Sequence, residues 1–264
     1  RFGFIIRKKI GEEMNIGIIG KANSGKTTIF NALTKSEIET NCFSEKNVKP
    51  NIAVVNHIDD RIEKLSEMYE PKKTIFANIE FLDFAGIERV EGKGDIFSPE
   101  TMASVKTCDS LAIVLRNFES DMIEQNIDIE KDYQDIIEDL ILSDLIIAEN
   151  RREKIELNKK RGIKTIEAEI EDRAIEKIIE CLNSNSEVKS IDLSEDEMKA
   201  VRGFNFLTLK PYLVIINSSE TKYKKFDDFD KFEDCEIIDI CGKFEMELNS
   251  LEDEEKAIFM QDMG

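Results

Sequence analysis

The sequence predicts an α/β fold built on a mostly parallel sheet, with a long helical insertion. Three observations carry this. Short, apolar, β-branched runs recur along the chain: NIGIIG (15–20), NIAVVNHI (51–58), LAIVLRNF (111–118) and PYLVIIN (211–217). Helical patterns alternate with them, as the crossovers of a parallel sheet require. After the run at 111–118 comes a charged stretch whose apolar residues return every three or four positions, the period of a helix.

The elements follow in order. Residues 1–13 read as an extension of unknown origin ahead of Met14, which looks like a natural start. From Asn15 a strand ends at Gly20, the loop KANSGK follows, and Ile29, Phe30 and Leu33 then sit at helical spacing. The stretch from Ser36 to Pro50 is polar and weakly patterned. NIAVVNHI is a strand, and DDRIEKLSEMY (59–69) is a helix that stops before Pro71. TIFANIEFLDF (74–84) is the next strand, and a loop covers Glu91–Pro99. LAIVLRNF is a continuous apolar run of the kind buried in a parallel sheet.

Residues 119–200 then hold 24 Asp and Glu against 12 Lys and Arg. One amphipathic segment runs from about Tyr133 to Leu157, with Ile136, Ile137, Leu140, Ile141 and Leu145 on one side. A second runs from about Ile163 to Leu182, through Ile166, Ile170, Ala174, Ile178 and Leu182. NKKRG links them, with Gly162 as the helix stop, so the pair reads as an antiparallel hairpin. Ser194 and Glu197 have capping-box spacing and open a further helix. Strand character returns at PYLVIIN and CEIIDIC (235–241), and LEDEEKAIFMQDM (251–263) is the last helical pattern.

Composition excludes several classes. The 264 residues carry 37 Lys and Arg against 56 Asp and Glu, a net charge of −19. Such a surface repels phosphate backbones, so no direct electrostatic nucleic-acid binding is expected. No run approaches the ~18 apolar residues of a membrane span. The basic flank and short apolar core of RFGFIIRKK fall short of a secretory signal. Cys42, Cys108, Cys181, Cys235 and Cys241 show no close pair, which fits free thiols in a reducing cytoplasm. Cys42, beside the first switch, is the candidate redox-sensitive thiol. The single histidine, His57, rules out His-rich metal clusters and reads as a structural residue at a strand end, which argues against a Ser-His-Asp triad.

One motif carries chemistry. Gly20-Lys21-Ala22-Asn23-Ser24-Gly25-Lys26-Thr27 satisfies GxxxxGK[ST] between a strand and a helix. Glycines let successive N–H groups curl toward a phosphate, and the helix N-terminus adds its positive end. Lys26 reaches the β- and γ-oxygens, and Thr27 offers a hydroxyl to Mg²⁺. Asn23, Ser24, Gly25 and Thr28 complete the wrap. Asp83-Phe84-Ala85-Gly86 follows the next strand, where Asp83 can hold Mg²⁺ through water and Gly86 can bond the γ-phosphate. Asn217-Ser218-Ser219-Glu220 closes the strand YLVII at the carboxyl edge of the sheet, where α/β ligands bind. GTP-binding domains usually read NKxD there. With Ser218 and Glu220 in place of Lys and Asp, guanine selectivity weakens, and an Asn amide suits adenine N6 and N7. Cys241 and Gly242, after the last strand, complete the expected nucleotide-binding set.

These motifs, in this order, resemble the YchF-type branch of the Obg-related P-loop NTPases, the Obg-like ATPases. Asp60-Arg61 with Leu65, RGFNFLTLKP (202–211) and LEDEEKAIFMQDMG (251–264) resemble further segments of that family, and the likeness spans Asn15 to Gly264. It implies a Ras-like P-loop NTPase domain at 14–118 and 203–264, with a helical coiled-coil insertion at 119–202. It also implies Mg²⁺, ATP with GTP as an alternative, and a ribosome partner. Asn23 matches a loop Asn that binds potassium in related GTPases, which makes K⁺ an optional second cation. The set implied is Lys26, Thr27 and Gly86 for catalysis, and Thr27, Asn47 and Asp83 for the metal.

The sequence departs from that pattern in three places. Asn47 stands where the family's first switch carries a metal-ligating Thr. The Gly-rich second switch is eroded to VEGKGDIFSPE (90–100). Ile113 occupies a strand position where the family has a His assigned to hydrolysis, whereas Ile87, in place of the water-orienting Gln of Ras-like enzymes, matches the hydrophobic residue the family has there. The family's C-terminal TGS domain would follow Gly264. Three readings stay open: a slow ATPase switch, turning over on the order of 10⁻⁴ to 10⁻² s⁻¹ unaided; a nucleotide-binding interaction module that barely hydrolyses; and a small-molecule kinase, which would need an Arg-rich lid. The acidic hairpin is read as a solvated arm with a packed inner seam.

Overall fold

The computed structural model describes residues 14–35, 50–57, 59–84, 99–120, 126–162, 165–224, 232, 235–252 and 255–256. Six strands form one sheet: β1 (Met14–Ile19), β2 (Asn51–His57), β3 (Ala77–Asp83), β4 (Ser110–Asn117), β5 (Tyr212–Ser218) and β6 (Glu236–Ile240). Their order is β2-β3-β1-β4-β5-β6, with β2 antiparallel to β3 and every other pairing parallel. The mostly parallel α/β architecture expected from the sequence is therefore the one found. The central β4 is buried at every residue, which is why it reads as an unbroken apolar run.

Each face of the sheet has its own core. On one, Ile113 and Leu115 of β4 pack with Val105 of α3 (Pro99–Thr107) and with Ile136 and Leu140 of α4 (Ile129–Lys160). On the other, Ala112, Val114 and Ile215 pack with Ile29 and Phe30 of α1 (Lys26–Thr34). Beside α1 lies α7 (Gly242–Asn249), whose Asn249 Nδ2 donates to the Ala32 carbonyl at 2.7 Å.

α4 is a single 32-residue helix. The Asp128 side chain caps its start by accepting the Lys131 N–H at 3.0 Å, four residues ahead of the start the apolar pattern marks. It ends at Lys160, so most of the NKKRG link is its last turn, and Gly162 (φ +76°) adopts the left-handed conformation just beyond it. α5 (Ile166–Asn183) follows, capped by Thr165. The two helices share a seam. Ile141, Ala148 and Ile155 repeat at seven-residue spacing, as in a coiled coil, and bury against Ala174, Ile175, Ile178 and Leu182. Ile166, at the distal end, is exposed and takes no part in it. The capping box of α6 (Glu195–Val201) is formed as the sequence requires: Glu197 N donates to Ser194 Oγ, and Ser194 N donates to Glu197 Oε2.

The chain returns to the sheet through Asp144. Its buried carboxylate accepts Leu207 N and Thr208 N, each at 2.8 Å, and Thr208 Oγ1 at 2.7 Å. Burial, against these hydrogen bonds, pushes its pKa up to about 6. The expected helix at 251–263 lies almost wholly outside the described residues. α3 and α7 are helices that the periodicity does not announce. α2 (Asp60–Tyr69) forms where expected but buries no residue.

Candidate nucleotide site

The loop between β1 and α1 sits at the carboxyl edge of the sheet. Asn23 holds φ +60°, a left-handed conformation that Asn tolerates, and Gly25 holds φ +87°. That geometry turns the chain so that α1 begins at Lys26. Ser24 N donates to the Lys21 carbonyl at 3.3 Å, and within α1 Ile29 N is the first amide to find an acceptor, the Gly25 carbonyl at 2.9 Å. The N–H groups of Lys26, Thr27 and Thr28 precede it and have no intrahelical acceptor, so they open toward whatever the loop encloses.

Lys26 is buried, and burial pulls its pKa down to about 8 against the opposing charge of Asp83. Its Nζ donates to the Lys21 carbonyl at 2.8 Å, so the ammonium spans the loop. Thr27 Oγ1 donates to Asp83 Oδ2 at 2.8 Å. Asp83 Oδ1 is buried without a hydrogen-bond partner among the described residues, and so is Ser24 Oγ. Burial pushes the Asp83 carboxyl upward in pKa, against the Thr27 hydrogen bond and the Lys26 charge. A hydroxyl beside a carboxylate with one spare buried oxygen is a hard-oxygen donor set. It fits Mg²⁺, which takes one or two protein oxygens and fills its octahedron with phosphate and water.

Asn217 joins the base-side strand to this loop. Its Nδ2 donates to the Ser24 carbonyl at 3.1 Å, and its Oδ1 accepts Gly242 N at 3.1 Å. The fit is tight on both sides. A Cβ on Gly25 would stand 2.1 Å from Asn217 Nδ2, and one on Gly242 would stand 2.6 Å from Ile29 Cδ1. One N–H and one lone pair of the amide remain for a base. Ser218 faces elsewhere: its Oγ donates to Asp239 Oδ1 at 2.5 Å and accepts Asn117 Nδ2 at 2.9 Å, both within the sheet. Glu220 is exposed. Cys241 is the buried N-cap of α7, and its thiol pKa is raised by burial, with the Glu220 charge adding to the shift.

The structure thus brings Ser24, Gly25, Lys26, Thr27, Asp83, Asn217 and Gly242 together, with Asn23 and Thr28 on the same loop. Asn47 and Gly86 lie outside the described residues, as do Cys42 and most of the second switch. Ile113 is fully buried in the core. Asn117 and Asp239 escape sequence reasoning, although both stand near the carboxyl ends of parallel strands, where the fold places ligands. Lys21 escapes it too. Its ammonium pairs with Asp132 Oδ1 at 2.7 Å and Asp135 Oδ2 at 2.5 Å on α4. Burial lowers its pKa, but the two carboxylates outweigh that and the net shift is upward.

Known proteins resemble this chain in sequence and fold. Residues 15–218 match the family model described as 50S ribosome-binding GTPase. "Ribosome-binding ATPase YchF" of Haemophilus ducreyi is 34% identical over 257 residues, which are 94% of this chain and 70% of that protein. The chain belongs to the YchF family. The Bacillus subtilis protein of the same name is 31% identical over 263 residues, 95% of this chain and 71% of its own. Among solved structures, the Schizosaccharomyces pombe YchF GTPase superposes with a TM-score of 0.76 at 24% identity, covering 97% of this chain and 72% of the other, a likeness of fold. That fold is the P-loop GTPase sheet described above. Among the described residues, no helix is long and apolar enough to cross a membrane.

Proposed function

We propose that this YchF-family chain is a Mg²⁺-dependent purine-triphosphate switch that hydrolyses ATP slowly, accepts GTP, and acts on the ribosome in the cytoplasm. The observation that carries the reading is the buried Lys26 ammonium, held across a loop whose open amides and Thr27–Asp83 pair surround one small volume. A lysine desolvated to a pKa of about 8 regains its full charge beside a polyphosphate. The amides of residues 23–28 bind the phosphates, and Lys26 neutralises charge on the β- and γ-oxygens. Mg²⁺ held by Thr27 and Asp83 supplies charge neutralisation there. Asn217 keeps the loop curled and offers its remaining amide hydrogen and lone pair to the base. With no Gln or Arg finger assigned, positioning and electrostatics do the catalysis. The ribosome as partner, and ATP as the nucleotide, rest on the names of the relatives. The helical stretch 119–202 is an insertion in the nucleotide domain at 14–118 and 203–264, and Ile136 and Leu140 of its first helix pack into that domain's core.

The test is calorimetry of ATP and GTP with Mg²⁺, with and without K⁺, followed by single-turnover hydrolysis and co-sedimentation with ribosomes. Binding, slow turnover and loss of turnover in Lys26→Ala are expected. No heat from either triphosphate would sink the reading. One observation favours the hydrolysis-deficient module: position 113 is a core isoleucine with no exposed surface, so it offers no proton-transfer group. Clear turnover by the wild-type chain eliminates that alternative.

A further inference from the structure

Lys21 is bound at both ends. Its backbone carbonyl accepts Lys26 Nζ at 2.8 Å, and its own Nζ is gripped by Asp132 at 2.7 Å and Asp135 at 2.5 Å. The first bond lies inside the phosphate loop. The second reaches the opening turns of α4, more than a hundred residues away in sequence. The side chain is only 30% exposed and the two carboxylates 19% and 17%, so solvent screens this cluster less than an ordinary surface pair. Asp132 also sits in the first turn of α4, where the helix dipole favours a carboxylate and disfavours a cation. The ammonium is therefore held by the pair of acids and not by the helix itself.

We propose that Lys21 is a positioning residue that couples occupancy of the loop to the placement of α4, and through α4 to the helical hairpin. The inference rests on the nucleotide reading above. A phosphate that draws Lys26 Nζ to itself pulls on the Lys21 carbonyl that shares the ammonium, which has further N–H donors for the phosphate. The residue whose carbonyl is pulled carries the grip on Asp132 and Asp135, so the loop cannot shift at residue 21 without loading that grip. By linkage, whatever engages the hairpin changes nucleotide affinity by the same factor that nucleotide changes that engagement.

The experiment is hydrogen exchange on the full chain, alone, with Mg²⁺-ADP and with Mg²⁺-AMPPNP, with calorimetry in parallel. In the wild type, exchange over 129–140 differs between the diphosphate and triphosphate forms. In Asp132→Asn/Asp135→Asn and in Lys21→Met that difference disappears, while Lys21→Arg retains it. The two disrupting variants change local charge in opposite directions, so a purely electrostatic effect on ligand affinity cannot mimic their shared loss. A static tether predicts no nucleotide-dependent difference in any variant. The proposal is overturned if both disrupted variants keep the wild-type difference, or if the wild type binds both nucleotides with no difference over 129–140. Absence of binding heat in the wild type defeats the nucleotide reading itself, and this inference with it. Circular dichroism and the wild-type melting profile serve as the fold control, and the Asn pair, distant from Lys26 and Thr27 in the chain, stands in should Lys21→Met fail to fold.

Discussion

Asn217 Nδ2 donates to the carbonyl of Ser24 across 193 residues of sequence, at 3.1 Å and with both groups buried. That bond, with the one from Gly242 N to Asn217 Oδ1, makes one side chain the brace between the phosphate loop, β5 and the start of α7. Asn217→Ala leaves a buried carbonyl and a buried N–H without partners. Each unmade bond costs about 1–3 kcal/mol, so urea unfolding should show a loss of about 2–6 kcal/mol. Asn217→Asp keeps the acceptor for Gly242 but turns a carboxylate oxygen toward the Ser24 carbonyl, so it should be at least as unstable. A stable Asp variant would contradict the brace.

Gly25 and Asn217 should be energetically coupled. Gly25→Ala places a Cβ 2.1 Å from Asn217 Nδ2 at a left-handed φ of +87°. The conformational cost of about 1–2 kcal/mol remains in any background. The steric part vanishes once the Asn217 side chain is gone. A double-mutant cycle with Asn217→Ala should therefore give a coupling of about 1 kcal/mol or more. Simple additivity would mean that the loop relaxes away from the contact.

Lys26 sets a pH signature for ligand binding. Its pKa is pulled down to about 8 in the ligand-free chain, and a polyphosphate raises it. The complex then holds more protons than the free protein above pH 8, so binding takes up protons there and weakens as pH rises. Calorimetry at pH 8.5–9.5 in buffers of different ionisation enthalpy should show this uptake, and Lys26→Met should lack it. Proton release in that window would have the wrong sign.

Asp83 tests the metal. Its Oδ2 is occupied by Thr27 and its Oδ1 is the spare oxygen. Asp83→Asn removes the charge while keeping the shape. The Mg²⁺ concentration for half-maximal triphosphate binding should rise about 10-fold or more, the size of effect seen when groups that orient a metal site are lost. Unchanged Mg²⁺ dependence would place the metal elsewhere.

Asp144 makes a different prediction, about stability. Its pKa in the fold, about 6, exceeds that of an unfolded Asp, about 3.9. The folded state therefore binds the extra proton between those values, and this group's contribution to stability falls as pH rises from about 4 to 6 and is flat above. The full swing is on the order of 3 kcal/mol. Asp144→Asn should abolish that component of the pH profile. It should also destabilise at pH 7, because an amide N–H₂ then faces donors at Thr208 or Leu207.

The parts of the molecule that repeat or that bear phosphate chemistry were legible from residue order. β4 reads as a buried parallel strand because all eight of its residues are covered. The α4–α5 pair is legible because Ile136, Leu140 and Ile141, and Ala174 and Ile178, keep helical spacing. The loop at Gly20–Thr27 is a contiguous motif. What escaped depends on contacts between distant residues. α3 and α7 are short and weakly amphipathic, and tertiary packing holds them in place: Val105 lies in the core and Asn249 bonds α1. Asn217 stands out by position, yet nothing in NSSE says that its amide serves the loop and α7. Ser218 looks like a base-site residue in sequence, but its hydroxyl is spent on Asn117 and Asp239. Lys21 is a variable x in the motif, so its pairing with Asp132 and Asp135 is invisible until the chain folds.

The unbroken course of α4 has a mechanical consequence. Thirty-two residues at 1.5 Å each make a rod about 48 Å long. One end is gripped by Lys21 of the phosphate loop and the other lies at the turn into α5. A pivot of about 5° at the gripped end sweeps the tip through about 4 Å. The seam at Ile141, Ala148 and Ile155 obliges α5 to travel with it. If occupancy of the loop pivots α4 as proposed above, a small displacement beside the loop becomes a stroke of several ångströms at the far end, on the scale of a layer of side-chain contacts.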